Sequence, residues 1–600
     1  MKIKLTITAL TLCLAYSVTA QEVPRDQFFW LGEMNKATAV INSDEGLLDK
    51  SVRHKVAQGI QTVIDKGNAK GGPRPTQVIR FEPLLIQEAG MDVTMLHIGR
   101  SSQDMHATYE SAIARDNALK LSEKLTSVMA TMLALAQAQE KTVVPNYTNG
   151  VAAQPNSYAH YLMGYLASFE RDQQKIREYY ARLNRCPMGT TVLNGTSWPL
   201  NRERMADYLG FDGPVLNAYD AAQMKSVDGP VEMAGIVTSI ALRVGSFVED
   251  VLVQYAQPRP WILLEEGGGN TYVSSAMPQK RNPGLLNSTR VTASETIGAA
   301  QTVILLAHNI PPGMSDPKSV KTSSAMVDGA VEALDKLERI LKALRIDPER
   351  ALEELNSDWT ASQEVADVFM REYKLPFRVG HHVASGIVGY AKANNIKPSE
   401  FPYSEVKRIY AEVIAKEYPQ GPAECPMPES LFRQTLDPVA IVANRQTSGG
   451  PQGAELQKAF KRFDAAVSQQ QKWSKQKKDE IDKALKKLDR DFAKLLKATA
   501  SHQSTCANRS TNGFCIVRIL SFAGRSLGLP KKLTKEKNNN ANQKDPFGEL
   551  SLCCHASDRV RFCQDCDIRF RCFQGRSVYQ NERNDTFRST CTFGYADFDG

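Results

Sequence analysis

The sequence predicts a mainly α-helical protein built around a bundle of long helices. Three stretches carry this prediction: residues 121–139, 228–256 and 290–308. In each of them apolar residues recur at helical spacing but on more than one face, which is typical of a helix buried among other helices. Such helices bury one another in a bundle, so we expect all three to pack at the centre of the molecule.

Composition fits a large globular protein and gives no sign of nucleic-acid binding along its body. The chain has 600 residues, of which 42% are hydrophobic and 23% charged. A chain of this length can bury several cores and is expected to divide into domains. The formal net charge of +8 is small for this size, and part of it lies in a Lys-rich segment, residues 471–500. We therefore expect no nucleic-acid-binding stripe along the body, and an anionic substrate is compatible with the charge.

The first twenty residues predict a signal peptide. A positively charged start is followed by a largely apolar run, residues 5–18, and by a small-residue cleavage site that ends at Ala20. The mature chain should begin near Gln21, in the periplasm or outside the cell, with no attachment to the membrane after cleavage. A retained membrane anchor is the alternative, but a run of about fourteen residues is short for a spanning helix.

The most informative segment is the serine loop, residues 274–283, which reads SSAMPQKRNP. A proton on the carbon beside a carboxylate is very weakly acidic, and its removal adds a second negative charge. Catalysis of that step needs cations and hydrogen-bond donors where the charge develops. Lys280 can supply the cation and Asn282 a donor, while Ser274 is a competent base if the same field strongly depresses its pKa. The loop therefore predicts proton abstraction beside a carboxylate.

A glycine-rich segment, residues 265–270 (EEGGGN), stands just before the serine loop. Three consecutive glycines are too permissive to hold one rigid conformation. The segment therefore predicts that the serine loop is part of a mobile lid. An ordinary polar loop is the alternative for a lone pair of serines, but it explains the whole ten-residue string poorly.

The serine loop resembles the signature of the fumarase/aspartase superfamily, and residues 23–455 resemble its argininosuccinate lyase branch. Residues 97–104, HIGRSSQD, are similar to the first signature of that branch, in a version closer to the Thr-Ser-Gln-Asp of carboxymuconate cycloisomerases. Residues 147–155, which contain YTN and AQP, are similar to the second signature. Further matches lie at residues 187–189, 194–196, 199–203, 209–211, 375–378, 381–382 and 444–450.

The resemblance implies a three-domain fold with a central bundle of long helices, assembled as a homotetramer whose active sites each take signatures from three chains. It implies β-elimination from a substituted succinate, with cleavage of a C–N bond and release of fumarate, and it requires no metal and no organic cofactor. Ser274 would be the base, and Lys280 and Asn282 would stabilise the doubly charged intermediate. The residues expected to bind this small dicarboxylate-containing substrate are Ser101, Ser102, Gln103, Thr148, Gln154 and Ser275.

The acid/base pair of the family is missing. Family members usually have a His at the position of Asn149 and a Glu at the position of Asn287, so both partners are amides here. His97, which opens the first signature, is a candidate substitute as proton donor. Residues 314–319 do not reproduce the set that grips the arginine end of argininosuccinate, which makes argininosuccinate a doubtful substrate.

Two other functions remain open. A carboxymuconate-type cycloisomerase would run related chemistry with an internal leaving group, and residues 102–104 favour it. A non-catalytic binding or structural protein on the same scaffold is favoured by Asn149 and Asn287. We expect His160 and the pair at residues 381–382 to be packed or capping residues rather than catalytic ones.

The C-terminal part of the chain differs from the rest. Apolar residues from Ile481 to Leu495 recur every three or four positions, which predicts an amphipathic helix that packs back on the body. From about residue 501 onward lie eight of the eleven cysteines. Three interpretations stay open for this tail: a zinc site around residues 553–566, disulfides, or a poorly structured extension such as an altered reading frame would produce.

The expected organisation follows these changes in character. The predicted segments are a signal peptide (1–20), an N-terminal lyase domain (21–115), a central helical bundle carrying the serine loop (116–360), a small C-terminal helical domain (361–455), a charged amphipathic helix (456–500) and the Cys-rich tail (501–600).

Overall fold

A computed structural model describes residues 23–497 of the chain, and this part is mainly helical, as predicted. The described residues form sixteen α-helices, which are α1 (Gln27–Asp44), α2 (Arg53–Asn68), α3 (Val78–Ala89), α4 (Ser102–Ala138), α5 (Tyr158–Leu183), α6 (Arg202–Leu209), α7 (Lys225–Gln254), α8 (Gly284–Ala307), α9 (Val320–Ala343), α10 (Pro348–Ser357), α11 (Ser362–Tyr373), α12 (Phe377–Ala393), α13 (Tyr403–Glu417), α14 (Glu429–Thr435), α15 (Pro438–Ala443) and α16 (Gly453–Lys497).

Short strands and turns complete the described chain. Two 3₁₀-helices span Met91–His97 and Pro398–Glu400, and a π-helical turn spans Asp220–Met224. Six strands form three antiparallel pairs, which are β1 (Val143–Thr148) with β2 (Val151–Ser157), β3 (Ile262–Leu264) with β6 (Leu344–Ile346), and β4 (Tyr272–Val273) with β5 (Arg281–Asn282).

The central bundle consists of α4, α5, α7, α8 and α9, and the three apolar stretches predicted to be buried helices fall in α4, α7 and α8. Polar contacts give the direction of α9 relative to α4. Asn117 Nδ2 donates to Ser324 Oγ at 3.0 Å, and further along both helices Lys124 Nζ donates to Glu338 Oε2 at 2.7 Å. Helices α4 and α9 therefore run parallel.

Helix α8 runs in the opposite direction. Lys336 Nζ donates to Thr292 Oγ1 at 2.7 Å, whereas Gly329, two turns earlier in α9, lies against Thr296, one turn later in α8. The start of α8 therefore lies at the end of the bundle where α4 finishes. The serine loop, which directly precedes α8, lies at that same end.

Two large hydrophobic cores and one small cluster lie within the described residues. The largest core joins α1–α9 with α16. The second is formed by α11–α15 and Phe401 and contains the stacked rings of Phe369 and Tyr410, and the small cluster consists of Val143, Leu355 and Val442. The domain boundaries at residues 115, 360 and 455 stay predictions, and α4 runs without a break through the first of them.

Helix α16 packs on the body with the stripe that its sequence predicts. All five apolar residues of the stripe are buried, and the helix lies against α1, α2, α4, α5 and α6. Lys36 of α1 donates to Glu33 of the same helix at 2.8 Å and to the exposed Asp489 of α16 at 2.9 Å, so an ion pair also joins the two helices.

The predicted signal peptide and the Cys-rich tail lie outside residues 23–497. Within those residues, none of the helices is long and apolar enough to cross a membrane. The same part of the chain contains no group of three or more His, Cys, Asp or Glu residues placed to hold a metal ion.

Candidate active site

The serine loop is the connection of the β4–β5 hairpin. Tyr272 pairs with Asn282 across the two strands, and the Ser274 N–H donates to the Lys280 carbonyl at 3.2 Å. Ser274 and Lys280 therefore face each other across the base of the loop. The structure thus brings together the predicted base and the predicted cation, which lie six residues apart in sequence.

The Ser274 hydroxyl oxygen accepts two backbone hydrogen bonds. The N–H of Met277 lies at 3.2 Å and that of Ala276 at 3.4 Å from Oγ. Donors aimed at an oxygen favour negative charge on it. The loop geometry thus supports a deprotonated Ser274, whereas the neighbouring Ser275 side chain is exposed.

Lys280 is the available cation of the loop. Its side chain is exposed and forms no ion pair within residues 23–497, whereas the next residue, Arg281, binds Glu266 at 2.8 Å. Asn282 directs its side-chain amide back to the Tyr272 carbonyl at 3.4 Å. Lys280 can therefore turn toward a ligand without breaking an ion pair, and Asn282 would first have to give up a weak bond.

The glycine-rich segment is a turn with left-handed backbone at three successive residues. Gly267, Gly268 and Gly269 have φ angles of 81°, 59° and 79°. L-residues with a side chain rarely adopt these angles, so the conformation requires glycine. The mobility expected of this segment stays a prediction, and its far end is tied to α8 by the Leu285 N–H, which donates to Asn270 at 3.0 Å.

Asn149 occupies the tip of the β1–β2 hairpin. Thr148 pairs with Val151, and the two residues between them, Asn149 and Gly150, have φ angles of 52° and 77°. This is the two-residue turn that an Asn-Gly sequence favours most. Thr148 and Asn149 are both exposed there. The turn gives Asn149 a conformational role, and histidine is also among the residues found in this left-handed region.

Two other amide residues singled out in the sequence, Gln154 and Asn287, lie apart from Asn149 in the chain. Gln154, on β2, is exposed and donates its amide to Gln363 of α11. Asn287 is partly buried in the first turn of α8, where its N–H donates to Pro283 at 3.1 Å. Asn287 therefore lies at the base of the serine loop.

The first signature forms the start of α4. Ser101 is the N-cap, and its hydroxyl accepts a bond from the Gln103 N–H at 3.0 Å and donates to the Thr191 carbonyl at 3.2 Å. The Ser101 side chain is thus engaged within the protein. Ser102 and Gln103 are partly buried in the first turn of the helix and remain the candidates for substrate binding.

Asp104 anchors the first signature, a role that the sequence interpretation missed. The side chain is fully buried; Oδ1 accepts the Ser101 N–H at 2.8 Å, and Oδ2 accepts those of Gly189, Thr190 and Thr191 at 2.9–3.1 Å. Burial raises the pKa of Asp104 to about 6, against the opposing effect of these donors. The sequence does contain a signal for this role, because Asp104 follows Ser101 by three residues, which is the spacing of a capping box.

His97 is paired within the protein. Its Nε2 lies 2.7 Å from Glu82 Oε1 of α3. Burial and the nearby Arg100 lower the pKa of His97, while Glu82 opposes that shift. Arg100 in turn is buried and donates to Asn35 at 2.7 Å. His97 thus helps to hold the first signature against the N-terminal helices, and its role as proton donor stays a prediction.

The three signature segments lie at opposite ends of the bundle. Helix α4 has 37 residues and is therefore about 55 Å long. The first signature starts it, while the β1–β2 hairpin follows its end and the serine loop lies at that end too. Trp261, next to β3, donates to Tyr147 of the hairpin at 3.1 Å, so the hairpin and β3 are neighbours at this end. One chain therefore cannot bring all three signatures to one substrate.

Two family models match the chain. One, described as Lyase, matches residues 25–298, and one, described as Argininosuccinate lyase C-terminal, matches residues 359–443. The argininosuccinate lyase of Methanosarcina acetivorans is 26% identical over 458 residues, which is 75% of this chain and 90% of that protein. The argininosuccinate lyase of Methanocaldococcus jannaschii is 26% identical over 461 residues, which is 76% of this chain and 90% of that protein.

Solved structures share the fold. EDDS lyase in complex with formate has a TM-score of 0.71 and 21% identity, covering 78% of this chain and 92% of that one. The 3-carboxy-cis,cis-muconate lactonizing enzyme from Pseudomonas putida has a TM-score of 0.54 and 18% identity, covering 75% and 95%. The two family models and these relatives support membership of the fumarase/aspartase superfamily. Within it the protein is argininosuccinate lyase-like, and the relationship supports a lyase that carries out a fumarate-lyase-type elimination on a dicarboxylate-type substrate.

Proposed function

We propose that the protein cleaves a C–N bond in an N-substituted succinate by β-elimination and releases fumarate. The observation that carries the proposal is the serine loop, where Ser274 Oγ receives two backbone donors and the Ser274 backbone pairs with that of Lys280, a lysine without an ion pair in residues 23–497. This arrangement can hold negative charge on a base and on the substrate carboxylate beside it. The relatives named argininosuccinate lyase favour nitrogen as the leaving atom.

The reaction can be written with this chain's residues in defined roles. Ser274, deprotonated, takes the proton from the carbon next to one carboxylate. The two electrons of that C–H bond pass to the carboxylate as a doubly charged intermediate, which Lys280 and Asn282 stabilise. The electrons then form the C=C bond of fumarate as the C–N bond breaks. The nitrogen leaves with the electron pair and needs a proton, which Asn149 cannot supply because an amide does not titrate near neutral pH.

The active site is proposed to lie between subunits of a homotetramer. Support comes from the length of α4, which separates the first signature from the other two. Large apolar side chains are also exposed along the bundle: Leu242 is 53%, Val291 52% and Leu305 70% exposed. Exposed apolar rows on long helices suit helix packing between subunits. Association of antiparallel bundles would place the start of one α4 beside the end of another.

Export to the periplasm or beyond is also a proposal, supported by the signal-peptide pattern of residues 1–20. It can be tested by expressing the full chain in a Gram-negative host, separating periplasm from cytoplasm, and determining the N-terminus of the recovered protein. We expect a chain that begins near Gln21 in the periplasmic fraction. An intact N-terminus in the cytoplasm would refute export and leave the proposed chemistry untouched.

One experiment separates the candidate functions. Fumarate formation is followed by ultraviolet absorbance across a panel of N-substituted aspartates that includes argininosuccinate, with carboxymuconate lactone formation measured in parallel. We expect fumarate from at least one member of the panel other than argininosuccinate. Lactone formation alone would favour the cycloisomerase that residues 102–104 suggest. Inactivity on both, together with tight binding of fumarate, would favour a binding protein on this scaffold.

A further inference from the structure

Four segments meet at the end of the bundle where α4 starts. They are the first turns of α4, the loop of residues 187–196, the π-helical turn Asp220–Met224, and residues 313–319 before α9. Lys318 Nζ donates to Gln223 Oε1 at 3.1 Å and to the Ala222 carbonyl at 3.0 Å, and Gln223 donates on to Val192 at 3.4 Å. A polar cluster thus surrounds the first signature on this side.

His106 lies near this cluster, close enough for the charge of Lys318 to act on its imidazole. It follows Ser102 by four residues and Gln103 by three, so the three side chains share one face of α4. Its ring centroid lies 5.2 Å from that of Tyr109. Its Nε2 atom is buried, and no residue of the described chain, 23–497, forms a hydrogen bond with it. Buried polar atoms are nearly always paired, so an unpaired one beside a binding segment indicates a partner that arrives with the ligand.

We propose that His106 is the proton donor to the leaving nitrogen, in place of the histidine that the family has at the position of Asn149. This inference rests on the proposed elimination and adds the residue that completes it. As the C–N bond breaks and its electrons go to nitrogen, the proton on Nε2 of the His106 imidazolium passes to that nitrogen. The neutral imidazole is then reprotonated from solvent, and Ser274 returns its proton to solvent.

The surroundings of His106 set the pH at which it can donate. Burial, and after it the positive charge of Lys318, lowers the pKa of His106 below 6.5. The other titratable groups on these segments are Asp104, Tyr109, Glu110, Asp220 and Asp316; the loop of residues 187–196 has none. Burial raises the pKa of Glu110 to about 7, so near neutral pH it carries only about half of the negative charge that an ordinary glutamate would set against Lys318. The donor is thus most populated on the acidic side of neutrality.

The test uses the full protein and compares leaving groups of different basicity. A basic alkylamine needs the proton as it departs, whereas a weakly basic arylamine departs with less help. His106→Gln keeps a polar side chain that cannot titrate. We expect kcat/KM to fall by roughly 10²-fold or more for N-alkyl aspartates, and by less than about 10-fold for N-aryl aspartates, because loss of a general acid is felt only where a proton is needed. His382→Gln, at an exposed histidine paired with Glu417, is the matched control.

Two further measurements separate this role from a structural one. Fumarate lacks the leaving group, so isothermal titration calorimetry should give the same Kd for fumarate with wild type and with His106→Gln. In wild type, kcat/KM for the N-alkyl substrates should decline as pH rises through the pKa of His106, and the variant should lose that decline. Lys318→Met should move the decline to higher pH, because the charge that lowers the pKa of the imidazole is then removed.

Each outcome decides one of the two proposals. An equal loss for alkyl and aryl leaving groups, or a weakened affinity for fumarate, would overturn the assignment of His106 and leave the elimination in place. A variant as active as the His382→Gln control would do the same. A wild type that forms no fumarate from any aspartate would refute the proposed function, and the assignment of His106 would be refuted with it.

Discussion

Ser274 and Lys280 stand out because the hairpin leaves them chemically available. Arg281, next to Lys280, is bound to Glu266, whereas Lys280 has no such partner in residues 23–497. The Ser274 hydroxyl oxygen accepts hydrogen bonds from two backbone N–H groups, and such donors favour negative charge on the oxygen. Backbone geometry and charge pairing together mark these two residues as the chemical centre of the loop.

Replacing Ser274 tests the proposed base. Ser274→Ala should lower kcat by at least ~10³-fold with little change in substrate binding, because the base acts in the transition state and a methyl group barely alters the site. The measurement is kcat and KM for fumarate release. Ser294→Ala is the control, since Ser294 is an exposed serine of α8 bonded only to its own helix. Robust activity without Ser274 would rule out its role as base.

Removing the charge of Lys280 tests the proposed stabilisation of the intermediate. Lys280→Met should be about as damaging to kcat as loss of the base, since the developing charge then lacks its main cation. Lys392→Met, at an exposed lysine of α12, is the control for loss of a surface charge. A higher KM with unchanged kcat would show instead that Lys280 only holds the carboxylate of the bound substrate.

Restoring the family's acid/base pair tests why it is absent. The double variant Asn149→His, Asn287→Glu can fold, because a histidine tolerates the left-handed turn at position 149. We expect it to be slower than wild type on the native substrate, because a charged pair enters a site adapted to two neutral amides. The measurement is fumarate release over the aspartate panel. An inactive wild type and an active double variant would show that catalysis was lost through these two positions.

Secondary-structure elements place the candidate residues by ordinary local rules. The capping box of Ser101 and Asp104 starts α4 and presents Ser102, Gln103 and His106 on one face of it. An Asn-Gly turn places Asn149 at the hairpin tip. Helix α16 also follows a local rule, because its apolar stripe packs against the largest hydrophobic core. The site thus depends on elements that are stable for reasons unrelated to catalysis.

Helix α16 should contribute to the stability of the whole body. Leu488 is fully buried at its interface, so Leu488→Ala should cost about 2–5 kcal/mol of the free energy of unfolding through lost burial and the cavity left behind. Lys486→Ala, at an exposed position two residues away, should change stability by less than about 0.5 kcal/mol. Denaturant midpoints of the two variants give the comparison. Equal midpoints would show that α16 is a dispensable addition.

At the scale of the whole molecule, the length of the helical bundle separates the two parts of the proposed site. The first signature and His106 lie where α4 starts, and the serine loop and Asn149 lie where it ends, about 55 Å away along a helix of 37 residues. The proposed site, which combines both ends of α4, therefore requires association of chains, and the exposed apolar residues of α7 and α8 are surfaces available for it.

Mixing two inactive variants tests this division. Ser274→Ala removes the serine-loop base, and Gln103→Ala damages the first signature on the other end of the bundle. Co-expressed chains should form mixed oligomers in which some sites combine an intact serine loop with an intact first signature. We expect fumarate-forming activity above that of either variant alone. Mixed oligomers that stay as inactive as the parents would place the whole site within one chain.

The sequence by itself determined the helical class, the buried helices and the stripe of α16, and it predicts the chemistry of the serine loop. Each of these depends on residues close together in the chain, such as apolar residues three or four apart or Ser274 and Lys280 six apart. The β1–β2 hairpin was missed even though Asn149-Gly150 is a local signal for it. The cap of Asp104 on Ser101 was also readable from spacing, but its three further donors from the 187–196 loop were not.

Only the tertiary structure decided which candidates are available to a ligand. It engaged the Ser101 hydroxyl with the Thr191 carbonyl and His97 with Glu82, and it left His106 Nε2 buried without a partner in residues 23–497. It also placed the signatures at opposite ends of one helix. None of this can be read from local sequence, because it depends on contacts between residues about 15 to 90 positions apart, and packing alone sets those contacts.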